Sequence, residues 1–183
     1  APLYCVSIGA MNPLPATGFG AGRMAFVLPG YLPGAVTPSS ACTTAGRTVR
    51  PASDFLALVV GDTTGDWEQL IPAGAPWYRA DGVRVFSGRP AQVNAGSFFP
   101  EVPINLTLDG GYLGVRGFDA GIGPGTGYYE VEHAWLGQQF ATCSNWTSAT
   151  GSMTRTVEVA STSPAVVNTS SCNVPRALFC LEK

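Results

Sequence analysis

The five cysteines constrain this chain more than any other feature of its sequence. They are Cys5, Cys42, Cys143, Cys172 and Cys180. No two are spaced as C-x-x-C, and the single histidine, His133, cannot complete a zinc site of the usual Cys/His kind. Widely separated cysteines in a chain rich in Gly, Ser and Thr indicate disulfides and an oxidising compartment, with buried free thiols as the alternative. We therefore predict a secreted or cell-surface protein.

The cysteine spacing does not choose a pairing. Four cysteines allow three pairings, and all three stay open at this point. Cys5 is the odd one, and it is either free, linked to another chain, or paired with a cysteine outside this sequence.

Length and composition exclude several classes of protein. A chain of 183 residues suits one domain, and 23 glycines with 15 prolines predict many turns. The net charge is −2 and no basic stripe is visible, so nucleic acid is not an expected partner. The longest apolar run, residues 55–60, has six residues, whereas a membrane span needs roughly 20. We expect no membrane span.

Local signals place several elements in the first half. Residues 1–22, rich in Pro and Gly, predict an extended lead-in before a domain at residues 23–183. Residues 23–28 predict a strand ended by Pro29 and Gly30. Residues 37–46 predict a short helix, with hydroxyl residues and Pro at its start and Gly at its end. Residues 55–60 predict a buried strand, and Asp81-Gly82 predicts a tight hairpin.

The second half is less regular. Residues 109–127 are rich in glycine and predict a long loop, either ordered or mobile. Residues 128–135 and 177–181 are typical of strands. Between them, residues 147–171 are a polar Ser/Thr stretch in which no element is predicted.

Four short segments of the second half carry a resemblance to a known family. They are WLG at 135–137, CSNWTS at 143–148, SCN at 171–173 and LFCLE at 178–182. They resemble the endostatin-like branch of the C-type-lectin-like fold, and most closely the bacterial endostatin-like domains of secreted and surface proteins, such as leptospiral endostatin-like adhesins. In the first half, Cys42 on the early helix, SDFLALVVGD at 53–62 and WYRADG at 77–82 agree with it.

The resemblance, which covers about residues 24–182, implies both the fold and the disulfides. The fold class is α+β, with short, mostly antiparallel strands, one or two short helices and long loops. The implied disulfides are nested, Cys42 with Cys180 and Cys143 with Cys172. The calcium-binding elements of sugar-binding C-type lectins, Glu-Pro-Asn and Trp-Asn-Asp, are absent. The arginine clusters and N-terminal histidines of endostatin are absent too, so neither its heparin binding nor its zinc binding carries over.

Catalytic chemistry has weak support in the sequence, and we predict that the chain is not an enzyme. His133 lies beside Glu132, but no G-x-S-x-G nucleophile motif is present. Glu130 and Glu132 would lie about 7 Å apart on one face of a strand, a separation found in inverting glycosidases. Any Glu-x-Glu strand has this spacing, so a hydrolase using these three residues is the weaker hypothesis.

Four carboxylate residues in the second half of the chain are candidate calcium ligands. Asp109, Asp119, Glu130 and Glu132 could supply oxygen ligands, but their spacing matches no EF-hand loop. We predict no cofactor, and a structural Ca²⁺ stays open.

The expected binding site is the glycine-rich region 109–132. Tyrosine and arginine are enriched where proteins bind partners. The alternative is that these aromatic residues only pin a long loop to the core. The candidate ligand-binding residues are Tyr112, Arg116, Phe118, Asp119, Tyr128, Tyr129, Glu130 and Glu132.

The function expected from these observations is extracellular recognition without catalysis. The chain would be an adhesin-type domain that binds a glycan or a host or matrix protein. The alternative is a structural cap or oligomerisation domain at the tip of a surface fibre, for example as a trimer; the low charge, Cys5 and the Pro/Gly-rich lead-in motivate it.

Overall fold

The computed structural model of the chain describes residues 22–59, 74–87, 100–113, 115–116, 130–131, 133–135, 143–150, 153–158 and 167–183. Within these residues the elements are β1 (Arg23–Tyr31), α1 (Pro38–Gly46), β2 (Phe55–Ala57), β3 (Trp77–Tyr78), β4 (Arg84–Phe86), β5 (Val115–Arg116), β6 (Glu130–Val131), β7 (His133–Trp135), α2 (Cys143–Trp146), β8 (Met153–Glu158), β9 (Val167–Ser171) and β10 (Arg176–Glu182).

Among the described residues, the strands form one large sheet and one small one. The large sheet has eight strands in the order β4-β3-β1-β10-β7-β8-β9, with β2 also paired to β10, and β5 pairs with β6 alone. The β1–β3 and β10–β7 pairs are parallel, and the other pairs are antiparallel. With its two short helices, the described chain is an α+β protein with a mostly antiparallel sheet, as predicted at the level of class.

Strand β10 is the centre of the large sheet. One edge pairs with β1, from Ala25↔Leu181 to Leu28↔Leu178, and the other edge pairs with β2 and β7. Side chains of a strand alternate between its two faces. Phe179 and Leu181 accordingly join one buried cluster with Trp77 and Ile104, while Leu178 and Cys180 join a second cluster with Phe26, Phe55 and Trp146. Both faces of β10 are therefore covered.

Helix α1 confirms its predicted ends. The Thr37 hydroxyl oxygen accepts a hydrogen bond from the Ser40 N–H at 3.2 Å, Pro38 occupies the first turn, and Gly46 is the last residue. The Thr43 side chain ties the helix to β2, because its hydroxyl oxygen accepts from the Phe55 N–H at 3.0 Å. The helix lies over the cluster that contains Cys180.

Both disulfides are those that the resemblance implies. Cys42 of α1 is bonded to Cys180 of β10, and Cys143 of α2 is bonded to Cys172, with sequence separations of 138 and 29 residues. All four cysteines are fully buried. The outer bond attaches the helix to the central strand, and the inner bond attaches α2 to the turn after β9.

The prediction that Pro29 and Gly30 end the first strand is wrong. Strand β1 continues to Tyr31, which is opposite Arg176, and its register with β10 shifts between Leu28 and Tyr31. Proline has no backbone N–H to donate to a neighbouring strand. The bulge lies at Pro29, where the regular strand hydrogen bonds are interrupted, so this N–H is not needed. Gly30 adopts φ +72°, which a glycine accepts without strain. The buried Tyr31 is therefore brought back into the sheet.

Two strands form in the stretch where no element was predicted. β8 pairs with β9 from Met153↔Ser171 to Val157↔Val167, and β8 also pairs with β7. Thr and Val are β-branched residues that favour strands, although the stretch lacks a strong apolar alternation. Neighbouring strands, more than the local pattern, determine these elements.

Element α2 is a single turn of left-handed helix. Cys143, Ser144, Asn145 and Trp146 have φ values of 55°, 54°, 54° and 66°. Left-handed helical conformation costs roughly 1–2 kcal/mol for each non-glycine residue. The disulfide of Cys143 and the burial of Trp146, which is 4% exposed, hold both ends of the turn.

Two further predictions concern the start of the domain and the absence of a membrane span. Residues 1–21, most of the predicted lead-in, lie outside the described residues, so the domain boundary stays a prediction. Within the described part of the chain, no helix is long and apolar enough to cross a membrane.

Candidate recognition surface

The described part of the predicted binding region begins with a small hairpin, residues 105–113, which we call the Tyr112 hairpin. The Leu113 N–H donates to the Asn105 carbonyl at 2.7 Å, and the Thr107 N–H donates to the Gly111 carbonyl at 2.8 Å. Leu106 and Tyr112 form a β-bridge between its arms. Gly110 at the tip has φ +82°, which explains why glycine stands there. The Tyr112 side chain is 60% exposed.

Asp109 organises the tip of this hairpin. Its carboxylate accepts hydrogen bonds from the Thr107 hydroxyl and, at 3.4 Å, from the Gly111 N–H. These hydrogen bonds hold the pKa of Asp109 below its ordinary value. The tip therefore carries a fixed negative charge beside an exposed aromatic ring.

A buried polar cluster braces the base of the hairpin. Asn105 is only 4% exposed, and its side-chain oxygen accepts from Arg79 Nη1 at 2.7 Å. Arg79 also donates to both carboxylate oxygens of Asp81, at 3.1 Å and 2.5 Å, and to the Pro103 carbonyl at 3.1 Å. Because Arg79 binds both segments, the Tyr112 hairpin and the turn at residues 79–83 are held together.

The turn at residues 79–83 is the predicted Asp-Gly hairpin, and it connects β3 to β4. Gly82 has φ +77°, and the Arg79 N–H donates to the Val83 carbonyl at 2.9 Å. Burial raises the pKa of Asp81, but hydrogen bonds from Arg79 and the Val83 N–H and the charge of Arg79 more than offset it, so the pKa lies below its ordinary value. Asp81 is therefore ionised in its pair with Arg79.

The small sheet continues the predicted binding region. In the β5–β6 pair, Arg116 stands directly opposite Glu130, and Val115 stands opposite Val131. Of the eight candidate residues, the structure thus places Tyr112, Arg116 and Glu130. Phe118, Asp119, Tyr128, Tyr129 and Glu132 lie outside the described residues, so a single surface formed by all eight stays a prediction.

The candidates for catalysis and for metal binding are only partly described. His133 begins β7 opposite Glu158 of β8, and Glu132 is outside the described residues. Counting only residues that the structure describes, no three His, Cys, Asp or Glu side chains are grouped to hold a metal ion. Asp119 and Glu132 are not among those residues. The hydrolase and calcium hypotheses therefore stay predictions from the sequence.

A second exposed surface was not predicted. Leu32 and Val36, in the loop between β1 and α1, are 38% and 52% exposed. The Gly34 N–H of the same loop donates to the Trp146 carbonyl at 3.1 Å, so the loop lies against α2. One sequence signal could have indicated this surface, because residues 24–46 and 134–154 contain no charged side chain.

No protein-family model matches the chain, and no curated protein matches its sequence.

Proposed function

We propose that this chain is an extracellular, non-enzymatic recognition domain of adhesin type, with the endostatin-like form of the C-type-lectin-like fold. Its ligand is a glycan or a host or matrix protein. Two buried disulfides support a location outside the cytoplasm, since disulfides persist in oxidising compartments. Their pairing and the mostly antiparallel sheet agree with what the resemblance implies for this family.

The observation that carries the proposal of recognition is the exposure of Tyr112 on a braced hairpin. A tyrosine ring that is 60% exposed offers a large amphipathic contact area. Its hairpin is closed by backbone hydrogen bonds and tied through the buried Asn105 to Arg79. A preorganised surface loses less conformational entropy on binding than a mobile one. Tyr112 is therefore the residue expected to anchor a partner.

Binding by the full, disulfide-bonded chain tests this proposal. The probes are a glycan array and immobilised laminin, fibronectin and collagen. We expect saturable binding to at least one probe and at least about tenfold weaker binding after Tyr112→Ala, the size of effect expected for a central aromatic residue. Tyr112→Phe is the matched control and should retain most of the affinity. Because the β-bridge at Tyr112 uses only main-chain atoms, neither substitution should change the fold.

A panel without binding at high protein concentration would contradict the recognition function. If Tyr112→Ala binds as tightly as the wild-type chain, the recognition function would stand, but the Tyr112 hairpin would not be its binding site. The same samples test the alternative of a structural cap. Light scattering that shows a strict monomer, with and without reductant, would contradict that alternative.

A further inference from the structure

The first arm of the Tyr112 hairpin lies beside strand β1. The Leu106 carbonyl accepts a hydrogen bond from the Val27 N–H of β1 at 2.9 Å. Leu106 in turn forms the β-bridge with Tyr112, so the second arm, residues 111–113, lies on the far side of the first arm from β1. Since β1 also pairs with β10, the order of neighbours is β10, β1, first arm, second arm. Within the described part of the chain, the second arm is the outermost of the four.

The backbone of Tyr112 faces away from the hairpin. The two hydrogen bonds between the arms flank the Leu106–Tyr112 bridge and use neither of these residues. In an antiparallel pair of this kind, the N–H and C=O groups of the two opposed residues point away from each other. The Leu106 carbonyl accordingly points to β1, and the Tyr112 N–H and C=O point to the opposite side. No described residue forms a hydrogen bond with either Tyr112 group.

This edge is both exposed and fixed in position. Gly111 and Tyr112 are exposed, and the Tyr112 side chain is 60% exposed. The Leu113 N–H anchors the second arm to the Asn105 carbonyl at 2.7 Å, and the Asn105 side chain is held by Arg79. An exposed strand edge with unpaired N–H and C=O groups is a template for pairing with another backbone. Because the edge is already ordered, little conformational entropy would be lost from it on binding.

We propose that an extended segment of a protein partner adds to this edge as a further strand. The partner residue opposite Tyr112 would accept from the Tyr112 N–H and donate to the Tyr112 carbonyl, as opposed residues of a hydrogen-bonded antiparallel pair do. The Tyr112 ring would contact the side chains of the added strand. In this mode of recognition, main-chain hydrogen bonds give affinity and side-chain contacts give specificity.

The backbone groups favour a polypeptide over a glycan. Every partner residue except proline carries one N–H and one C=O, which are the complement of the two groups that Tyr112 offers. The inference rests on the proposed recognition function and selects the partner class, a protein with an accessible extended segment. A glycan ligand is therefore an outcome that the experiment must be able to detect.

Two substitutions at one position separate the backbone from the side chain. Tyr112→Ala removes the ring and keeps the N–H, whereas Tyr112→Pro removes both. Proline is tolerated in an edge strand where the missing N–H faces outward, so both variants should fold, and thermal unfolding checks this. With immobilised laminin, fibronectin and collagen as probes, Tyr112→Pro should bind about fivefold more weakly than Tyr112→Ala, the effect of one lost hydrogen bond.

Hydrogen exchange of the wild-type chain provides a measurement that needs no variant. The Tyr112 amide should exchange rapidly in the free chain and at least about tenfold more slowly in complex with the matrix protein that binds. The Leu113 amide is the internal control, because its hydrogen bond to Asn105 should protect it in both states. Mass spectrometry of overlapping peptides resolves the two positions. If Tyr112→Pro fails to fold, this measurement decides alone.

The outcomes separate the inference from the proposed function. Matrix-protein binding that protects the Tyr112 amide supports the inference. Matrix-protein binding that leaves this amide unprotected, equal affinities of folded Tyr112→Pro and Tyr112→Ala, or binding to a glycan array alone would overturn only the inference. A dimer of the chain that Tyr112→Pro dissociates would make a second copy the occupant and overturn it too. The absence of binding to every probe would overturn both proposals.

Discussion

Arg50 donates from Nη1 to the Oε2 atom of Glu182 at 2.6 Å, across 132 residues of sequence. The Glu182 carboxylate also accepts from the Met24 N–H at 2.7 Å and from the Ser53 hydroxyl at 2.5 Å, and the residue is 5% exposed. One buried side chain at the end of β10 thus joins the start of β1 to the segment that follows α1.

Removing this carboxylate should strongly destabilise the fold. Glu182→Ala leaves the Met24 N–H without its carboxylate acceptor and removes the carboxylate from the Arg50 cation, which keeps its hydrogen bond to the Gly22 carbonyl. We expect the free energy of unfolding to fall by about 3 kcal/mol. Urea unfolding followed by tryptophan fluorescence measures it. The control is Asp54→Ala in the Arg47–Asp54 pair, whose side chains are 53% and 56% exposed. That substitution should cost less than about 1 kcal/mol, and equal effects of the two would refute the argument.

The two disulfides should differ in their contribution to stability. Cys42–Cys180 closes a separation of 138 residues and Cys143–Cys172 closes 29. The loop-entropy relation gives about 5 and about 3.6 kcal/mol, as upper values. Paired Cys→Ala variants of each bond, unfolded in urea, should therefore show the larger loss for the outer bond. A larger loss for the inner bond would show that native contacts at the left-handed turn, and not chain entropy, dominate.

Gly46→Ala should destabilise helix α1, contrary to the usual effect of this substitution. In a helix, alanine is ordinarily more stable than glycine by about 0.5–1 kcal/mol. Here a Cβ atom at Gly46 would lie 2.2 Å from the ring of Phe55, which is fully buried. We expect a net loss of about 2 kcal/mol in chemical denaturation. Thr44→Ala, on the exposed side of the same helix, should instead gain a few tenths of a kcal/mol, about the difference in helix propensity. A stabilising Gly46→Ala would mean that Phe55 moves freely.

Tyr31 should make stability fall at alkaline pH. Burial raises the pKa of Tyr31 from 10.0 to about 12. As the pH rises, the unfolded chain therefore loses the Tyr31 proton before the folded chain does. Between the two pKa values, this deprotonation favours the unfolded state. Stability from this group is fully present below pH 10 and is lost as the pH rises to about 12, in total about 2–3 kcal/mol. Urea titrations of the wild-type chain and Tyr31→Phe from pH 8 to 11.5 compare the two slopes. Parallel curves above pH 10 would show that Tyr31 does not cause the loss.

Local residue patterns were sufficient to predict the elements whose ends depend on nearby residues. Thr37 and Pro38 start helix α1 and Gly46 ends it, and the Asp81-Gly82 pair makes its turn with its own backbone and side chain. These features depend on preferences that act over a few residues. The α+β class and the disulfide pairs were implied by the resemblance.

Other features depend on contacts between distant residues and could not be predicted locally. β1 passes Pro29 because the register with β10 can shift there, and β8 and β9 form because β7 offers an edge. In the candidate site, the sequence indicated Tyr112 but not Asn105, whose buried contact with Arg79 bridges 26 residues. The left-handed turn of α2 could not be predicted either, because no residue preference suggests that conformation at Cys143 or Trp146.

The sequence by itself determined which cysteines could form covalent links, where the capped helix and the Asp-Gly turn begin and end, and that the chain is nearly neutral and has no long apolar run. Only the tertiary structure decided which side chains remain exposed, which strands pair, and where the backbone takes up strain. The physical reason is that caps and turns are stabilised within a few residues, whereas exposure, strand register and a strained turn are set by partners that the chain brings together from far apart.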